Sequence, residues 1–321
     1  MDFIDLTSLH SYSYLLVLAA ILLTTKLLGL FSRWVRLPQV LGALVAGVIL
    51  GPVVNAIVGW STGDGFFSQA AGSDQLFGML SELGVIVLMF GAGLETDVQE
   101  MKKCGKASLI IAVIGVVTPL IFGAVASYFF IDDPNSQEKL LKSIFIGVVL
   151  TATSVSITVE TLKELGKLNT PASNAILGAA IIDDVLGIIA LTIITSFKSK
   201  DVNIWFVLIK IVLFFIFAAI LGFIMLKIYK WMNKHTSRDS RRHVIIAFAY
   251  CLVSSFVAEV FFGVADITGA YVAGLVLSMT NRKRYLVNRF STLSYMFLSP
   301  IFFACIGLTI EMPELTVSLL V

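Results

Sequence analysis

Two adjacent aspartates lie at the centre of a long apolar stretch that runs from Ala175 to Ile194. The stretch reads AILGAAIIDDVLGIIALTII, and Asp183 and Asp184 are its only charged residues. As a helix it would be about 30 Å long, the thickness of the hydrocarbon core of a bilayer. The pair therefore lies near the membrane midplane, where each ionised aspartate costs roughly 2.5–3.5 kcal/mol. Intramembrane carboxylates mark ion pathways and proton relays, and neighbours on a helix point about 100° apart, so one can face a cavity and the other a helix.

The composition places the rest of the chain in the membrane as well. Of the 321 residues, 58% are hydrophobic and 14% are charged, and the mean hydropathy is +0.94. These values predict an all-α polytopic membrane protein and no appended soluble or nucleic-acid-binding domain. Ten membrane segments are predicted, at 12–31, 38–55, 74–94, 106–129, 140–162, 171–197, 202–229, 243–263, 265–280 and 287–308.

Positive charge is distributed unevenly between the two sides. Loops after odd-numbered segments carry 17 of the 23 lysines and arginines, and the opposite side carries four. By the positive-inside rule, the basic loops are cytoplasmic and the N-terminus is outside. The cluster at 227–243 is most simply an orientation and headgroup signal, and His235 and His243 are expected on this solvated loop. Lys210 is expected to snorkel to the outer headgroups.

An internal repeat links the two halves of the chain. Gly42-Ala-Leu-Val-Ala-Gly-Val-Ile-Leu50 and Gly269-Ala-Tyr-Val-Ala-Gly-Leu-Val-Leu277 agree at six of nine positions, and Gly93-Leu94 matches Gly307-Leu308. Each pair is seven segments apart, so the partners cross the membrane in opposite directions, as in an inverted-repeat secondary transporter. The predicted parts are a first repeat (1–197, with core segments 140–162 and 171–197), a linker helix (202–229) and a partial second repeat (243–321). Segments eleven to thirteen are expected to be missing from this chain.

A run of hydroxyl residues interrupts segment five. Thr151-Ala-Thr-Ser-Val-Ser-Ile-Thr158 weakens a helix because hydroxyl side chains compete for backbone hydrogen bonds. We expect a helix break that lines a cavity, although an ordinary helix with hydroxyls bonded to the preceding turn is the alternative. Oxygen ligands for a hard monovalent cation would come from Asp183, Asp184, Thr151, Thr153 or Ser154. The three cysteines and three histidines predict no disulfide, zinc site or other cofactor.

Six motifs resemble the bacterial monovalent cation:proton antiporter superfamily, in particular its sodium/proton branch with a double-aspartate motif. They occur in family order along nearly the whole chain, as Leu37-Pro-Gln-Val-Leu-Gly42, Phe90-Gly-Ala-Gly-Leu-Glu-Thr-Asp97, Thr151-Ala-Thr-Ser-Val155, Ile182-Asp-Asp-Val-Leu-Gly187, Gly269-Ala-Tyr-Val-Ala-Gly274 and Pro300-Ile-Phe-Phe303 with Ile306-Gly-Leu308.

The resemblance implies a homodimer of thirteen-helix protomers with discontinuous core helices, about ten helices being present here. It implies exchange of Na⁺ or Li⁺ for H⁺ in the bacterial cytoplasmic membrane, with Asp184 as the exchanging acid and no enzymatic activity. The basic partner that electrogenic relatives provide for the first acid, Asp183, would lie on a missing helix. Glu82 and Glu259 match acidic family positions, and structural hydrogen bonding is expected for both.

The proposed mechanism is competition of cation and proton for one carboxylate site. Either load neutralises Asp184, so the core moves across the barrier only when loaded. The alternatives are a K⁺/H⁺ antiporter or K⁺ efflux protein, a non-transporting sensor, and an intramembrane aspartyl protease. The protease is disfavoured because its acids come from two facing segments, whereas these are adjacent on one helix.

Overall fold

The computed structural model describes residues 6–54, 75–131, 135–198, 204–235 and 241–310. These residues are predominantly helical and contain no β-strand, which confirms the predicted all-α class. Within them, seven helices are long and apolar enough to cross a membrane, and two shorter apolar helices accompany them. The helices are α1 (Leu6–Trp34), α2 (Gln39–Val48), α3 (Gln75–Glu95), α4 (Val98–Phe130), α5 (Ser136–Val149), α6 (Val155–Glu164), α7 (Pro171–Lys198), α8 (Ile204–His235), α9 (Arg241–Val257), α10 (Asp266–Ser278), α11 (Lys283–Leu293) and α12 (Ser299–Leu308).

Nine of the ten predicted segments correspond to one helical stretch each. Short π-helical turns extend α2 through Ile49–Val53 and α9 through Ala258–Phe262, and a third, Ser294–Leu298, joins α11 to α12. Segment five is the exception, because α5 and α6 divide it at the predicted break. The ordinary uninterrupted helix, the alternative for this segment, is therefore wrong.

The chain divides into two compact units. The first contains the described residues up to Leu88 and from Phe290 onwards, and the second extends from Met89 to Arg289. In the first unit α1, α2 and α12 pack together around a core that includes Val17, Phe77 and Ile301. In the second unit α7 packs against α4, α5, α6 and α8, and α10 packs against α8 and α9.

Glycines bring pairs of helices to backbone contact in both units. A Cβ on Gly47 would collide with the carbonyl of Ala304, and one on Gly307 with the carbonyl of Leu44. In the second unit a Cβ on Gly274 would collide with the carbonyl of Phe90, and one on Gly93 with that of Tyr271. The positions that match in sequence therefore make matching contacts, which supports the repeat. Gly91, two residues before Gly93 on α3, makes no such contact, because a Cβ there would meet nothing within 4 Å.

Long apolar side chains cover the outer surface of the spanning helices. On α8, Trp205 and Trp231 are 74% and 64% exposed and stand about 39 Å apart along the axis, the spacing of the two interfacial aromatic belts. The ammonium groups of Lys210 and Lys227 lie over the rings of Phe206 and Phe223, each one turn earlier on α8. For Lys210 this directs the charge toward the N-terminal end of the helix, as expected of a snorkelling lysine.

The ends of three predicted segments meet on one side of the second unit. Lys163 at the end of α6 forms an ion pair with Glu95 at the end of α3, with 3.4 Å between Nζ and Oε1. Lys283, the first residue of α11 after the turn that follows α10, donates to the carbonyls of Glu95 and Thr96 at 3.1 and 3.2 Å. Segments three, five and nine therefore end together, as alternating topology requires. That this side is cytoplasmic stays a prediction.

The expected placement of His243 on a solvated loop is wrong. Helix α9 begins at Arg241, so His243 lies in its first turn and is 0% exposed. Its ring packs edge-on to Tyr229 of α8, with 5.4 Å between ring centroids, and the Tyr229 hydroxyl donates to the His243 carbonyl at 2.6 Å. The other loop histidine, His235, is the last residue of α8, and its side chain lies outside the described residues.

Candidate functional site

Helix α7 carries both aspartates at its middle. It extends from Pro171 to Lys198 and lies tightly against α4, where a Cβ on Gly178 would come within 2.6 Å of the Ser108 hydroxyl oxygen. Asp183 and Asp184 are both half-buried. Because consecutive helical residues point about 100° apart, each carboxylate faces a different neighbour.

The helix break lies beside α7. Residues 150–154 are not helical, and hydroxyl side chains cap the end of α5 and the beginning of α6 on either side of them. The Thr151 hydroxyl, 3% exposed, donates to the Val148 carbonyl at 2.7 Å at the end of α5. Ser154 is the N-cap of α6, where its hydroxyl accepts from the Ile157 amide at 3.5 Å. These bonds satisfy backbone groups that helix ends otherwise leave without partners.

Asp183 faces the break. Its carboxylate lies beside the side chain of Thr153, a residue of the break. Asp183, Thr153 and Thr158 are the polar residues that line a cavity of about 120 Å³. The other walls are mainly apolar side chains of α4, α6 and α7, among them Ala112, Val155 and Leu177. The Thr153 hydroxyl also lies 3.3 Å from the Thr151 carbonyl, so its single proton can serve either acceptor.

Asp184 faces the other way, toward α10. The hydroxyl of Thr268 donates to its Oδ2 atom at 3.3 Å across a sequence separation of 84 residues. Thr268 is 2% exposed and lies in the first turn of α10. Sequence reasoning missed this residue, because it stands one position before the matched stretch that begins at Gly269. The available signal was a hydroxyl residue in an apolar segment, next to that motif.

The first turn of α10 is held by backbone contacts. A Cβ on Gly269 would come within 2.5 Å of the Ser254 carbonyl oxygen, so α10 and α9 touch at this point. The Asp266 amide donates to Glu259 Oε2 at 3.2 Å, and the Asp266 carboxylate accepts from the Ile267 amide at 2.7 Å. The structural hydrogen bonding expected of Glu259 is therefore present. Glu82, the other acid with this expectation, is exposed on α3.

The five predicted ligands thus divide into three groups, of which Asp184, in contact with Thr268, is one. Thr153 contacts Asp183, whereas the hydroxyls of Thr151 and Ser154 are engaged with the backbone of their own half-helices. The hydroxyl oxygens of Thr153 and Thr268 lie beside the two aspartates, and oxygen ligands suit a hard monovalent cation. Within the described part of the chain, no group of three or more His, Cys, Asp or Glu side chains could hold a metal ion.

The comparison with protein families matches nearly the whole chain. The model of the transmembrane sodium/hydrogen exchanger family matches residues 17–321. The chain belongs to this family. The resemblance inferred from the six motifs is therefore confirmed, and with it the assignment to a family of membrane transporters.

Individual relatives agree with this assignment. The probable Na⁺/H⁺ antiporter GerT of Bacillus cereus is 39% identical over 298 residues, which are 91% of this chain and 73% of the relative. The Na⁺/H⁺-K⁺ antiporter GerN of the same organism is 35% identical, over 93% of this chain and 72% of the relative. Among solved structures, the sodium proton antiporter MjNhaP1 of Methanocaldococcus jannaschii has a TM-score of 0.64 at 18% identity, with 93% of this chain and 70% of the other covered. The last likeness shows the shared fold.

Proposed function

We propose that this protein exchanges Na⁺ or Li⁺ for H⁺ across the bacterial cytoplasmic membrane, and that Asp184 carries the exchanged ion. The observation that carries the proposal is the arrangement of the two carboxylates at the middle of α7. Asp183 faces the helix break and its cavity, and Asp184 faces a buried hydroxyl on α10. The family supplies the type of transport, and these contacts supply a pair of acids with a hydroxyl group beside each of them.

The mechanism is competition for Asp184. An ionised carboxylate at mid-membrane costs roughly 2.5–3.5 kcal/mol, and either a bound cation or a bound proton removes that charge. A site that is neutral only when loaded crosses the barrier only when loaded. It therefore carries the cation in one direction and the proton in the opposite direction. In this proposal Asp183 and Thr153 supply oxygens on the side of the break.

Three further features belong to the proposal. The N-terminus lies outside, which the excess of basic residues in loops after odd-numbered segments supports. The two halves form an inverted repeat, with 1–197 and 243–321 as its copies and 202–229 as linker, which the matching glycine contacts support. The protein acts as a homodimer, as the resemblance implies.

The experiment is proton flux in everted membrane vesicles that contain the full-length protein. Respiration acidifies the vesicle interior, and Na⁺, Li⁺ or K⁺ is then added while a pH-sensitive dye reports the gradient. We expect Na⁺ and Li⁺ to dissipate the gradient. Potassium is included because one relative is named for K⁺ as well as Na⁺ and H⁺.

Two amide variants make the result specific. Asp184→Asn keeps the shape of the side chain but cannot exchange a proton, so we expect it to abolish the response. Glu82→Gln makes the same chemical change at an exposed site on α3 and should respond as the wild type does. Exchange that persists in Asp184→Asn, or no response of the inserted wild type to any cation between about pH 6 and 9, would contradict the proposal.

A further inference from the structure

The hydroxyl of Thr268 is used differently from those of other helical threonines. Thr24, Thr25 and Thr192 each donate to a carbonyl four residues earlier on their own helix, at 2.6, 2.7 and 2.6 Å. Thr268 lies in the first turn of α10, where no preceding helical turn presents such a carbonyl. Its hydroxyl instead donates to the Asp184 carboxylate on α7.

The position of Thr268 is set by the backbone around it. Immediately after it, Gly269 lets α10 touch α9, since a Cβ there would come within 2.5 Å of the Ser254 carbonyl oxygen and 2.9 Å of the Ala258 Cβ. Immediately before it, the turn is fixed by the bond from the Asp266 amide to Glu259. The backbone of Thr268 is therefore held in place, and the stiff, β-branched side chain leaves only χ1 to set the position of the hydroxyl.

The first copy of the repeat builds the same helix junction without a hydroxyl. Gly42 corresponds to Gly269, and a Cβ on Gly42 would collide with the carbonyl of Leu28 on the preceding helix, as one on Gly269 would with Ser254. The residue that corresponds to Thr268 is Leu41, which is 38% exposed. The junction thus needs the glycine and not the threonine, so the hydroxyl is present for another reason.

We propose that Thr268 is a positioning residue for cation binding. Its hydroxyl holds one oxygen of Asp184 and stabilises the ionised carboxylate, because a hydrogen bond donated to a charged group favours the charged form. The ionised form is the one that binds a cation. The other carboxylate oxygen, Oδ1, is then left for the ion. This inference rests on the proposed function and adds a residue that governs the affinity for a hard monovalent cation.

The test compares Thr268→Val with Thr268→Ser in the vesicle assay. Valine keeps the shape and removes the hydroxyl, so we expect the apparent KM for Na⁺ to rise about tenfold, as expected when a hydrogen bond to a charged group is lost. The maximal rate at saturating Na⁺ should stay within about twofold, a change of well under 1 kcal/mol in the barrier. Serine restores the donor and should return the KM toward the wild-type value.

A matched control separates this role from packing. Thr25→Val makes the same change at a buried threonine, 4% exposed, whose hydroxyl bonds to its own helix. Its KM for Na⁺ should equal that of the wild type. In purified protein, Na⁺-dependent protection against heating gives an affinity without transport, and Thr268→Val should require about tenfold more Na⁺ for half-maximal protection.

The outcomes distinguish this inference from the proposed function. If wild-type protein shows neither exchange nor Na⁺-dependent protection, the proposed function fails. If the wild type shows both and Thr268→Val matches it in KM and protection, the role of Thr268 is refuted. A lower maximal rate with an unchanged KM, or the same KM change in serine as in valine, also refutes it. If valine prevents insertion, the comparison of Thr268→Ala with Thr268→Ser applies the same criteria.

Discussion

Gly93 and Gly91 lie two residues apart on α3 and provide a direct test of the glycine crossing. A Cβ on Gly93 would collide with the Tyr271 carbonyl and come within 2.9 Å of the Leu275 amide nitrogen and 3.1 Å of the Gly274 Cα. A Cβ on Gly91 would meet nothing within 4 Å. We therefore expect Gly93→Ala to destabilise the protein and Gly91→Ala to leave its stability unchanged or to raise it.

The expected difference follows from packing alone. Both substitutions gain about 0.5–1 kcal/mol of helix stability when alanine replaces glycine, so this gain cancels between them. At Gly93 the obstructing atoms belong to the backbone of α10 and cannot rotate away, so α3 and α10 must separate. Overpacking of this kind costs about 1–3 kcal/mol, which is the difference we expect between the two variants.

The measurement is thermal unfolding of both variants in the same detergent, followed by the fraction that remains monodisperse after heating. A difference of about 1–3 kcal/mol corresponds to several degrees in Tm. Gly93→Ala should lie below the wild type, and Gly91→Ala at or above it. Equal melting temperatures, or a lower value for Gly91→Ala, would refute the inference that α3 and α10 cross at the Gly93 backbone.

Two further predictions concern contacts away from the aspartates. A double-mutant cycle on Lys163→Met and Glu95→Gln should give a coupling of about 0.5–1 kcal/mol in the free energy of unfolding. The coupling should fall as salt is added, because both side chains are partly exposed, at 26% and 16%. A coupling that does not change with salt would contradict this prediction. Tyr229→Phe should lower the free energy of unfolding by about 1 kcal/mol, because it removes a buried donor from the His243 carbonyl; unchanged thermal stability would show that this bond does not stabilise the α8–α9 contact.

The hydrophobic pattern was sufficient to locate the helices, and local chemistry was sufficient to locate the break. The hydroxyl residues from Thr151 to Thr158 predicted an interruption, and Thr151 and Ser154 now cap the half-helices on either side of it. Adjacency on a helix also predicted that Asp183 and Asp184 would face different surroundings. These features depend on residues close together in the sequence.

Features that depend on distant residues were not predictable in the same way. The bond between Thr268 and Asp184 joins positions 84 residues apart, and no periodicity in either segment indicates it. The basic neighbours of His243 indicate a loop, whereas α9 begins at Arg241 and its first turn directs the His243 ring against Tyr229. Which side of an interfacial turn a residue faces is decided by the neighbouring helix, and this information is absent from local composition.

The two aspartates share one continuous helix, and this has a mechanical consequence. Asp183 contacts the break through Thr153, and Asp184 contacts α10 through Thr268. The helix that carries both aspartates, α7, is continuous from Pro171 to Lys198. A rotation or shift of α7 therefore moves both carboxylates together, because they are adjacent on one continuous helix. Release of one contact is linked to strain or release at the other, even though Thr153 lies in the break and Thr268 lies on α10.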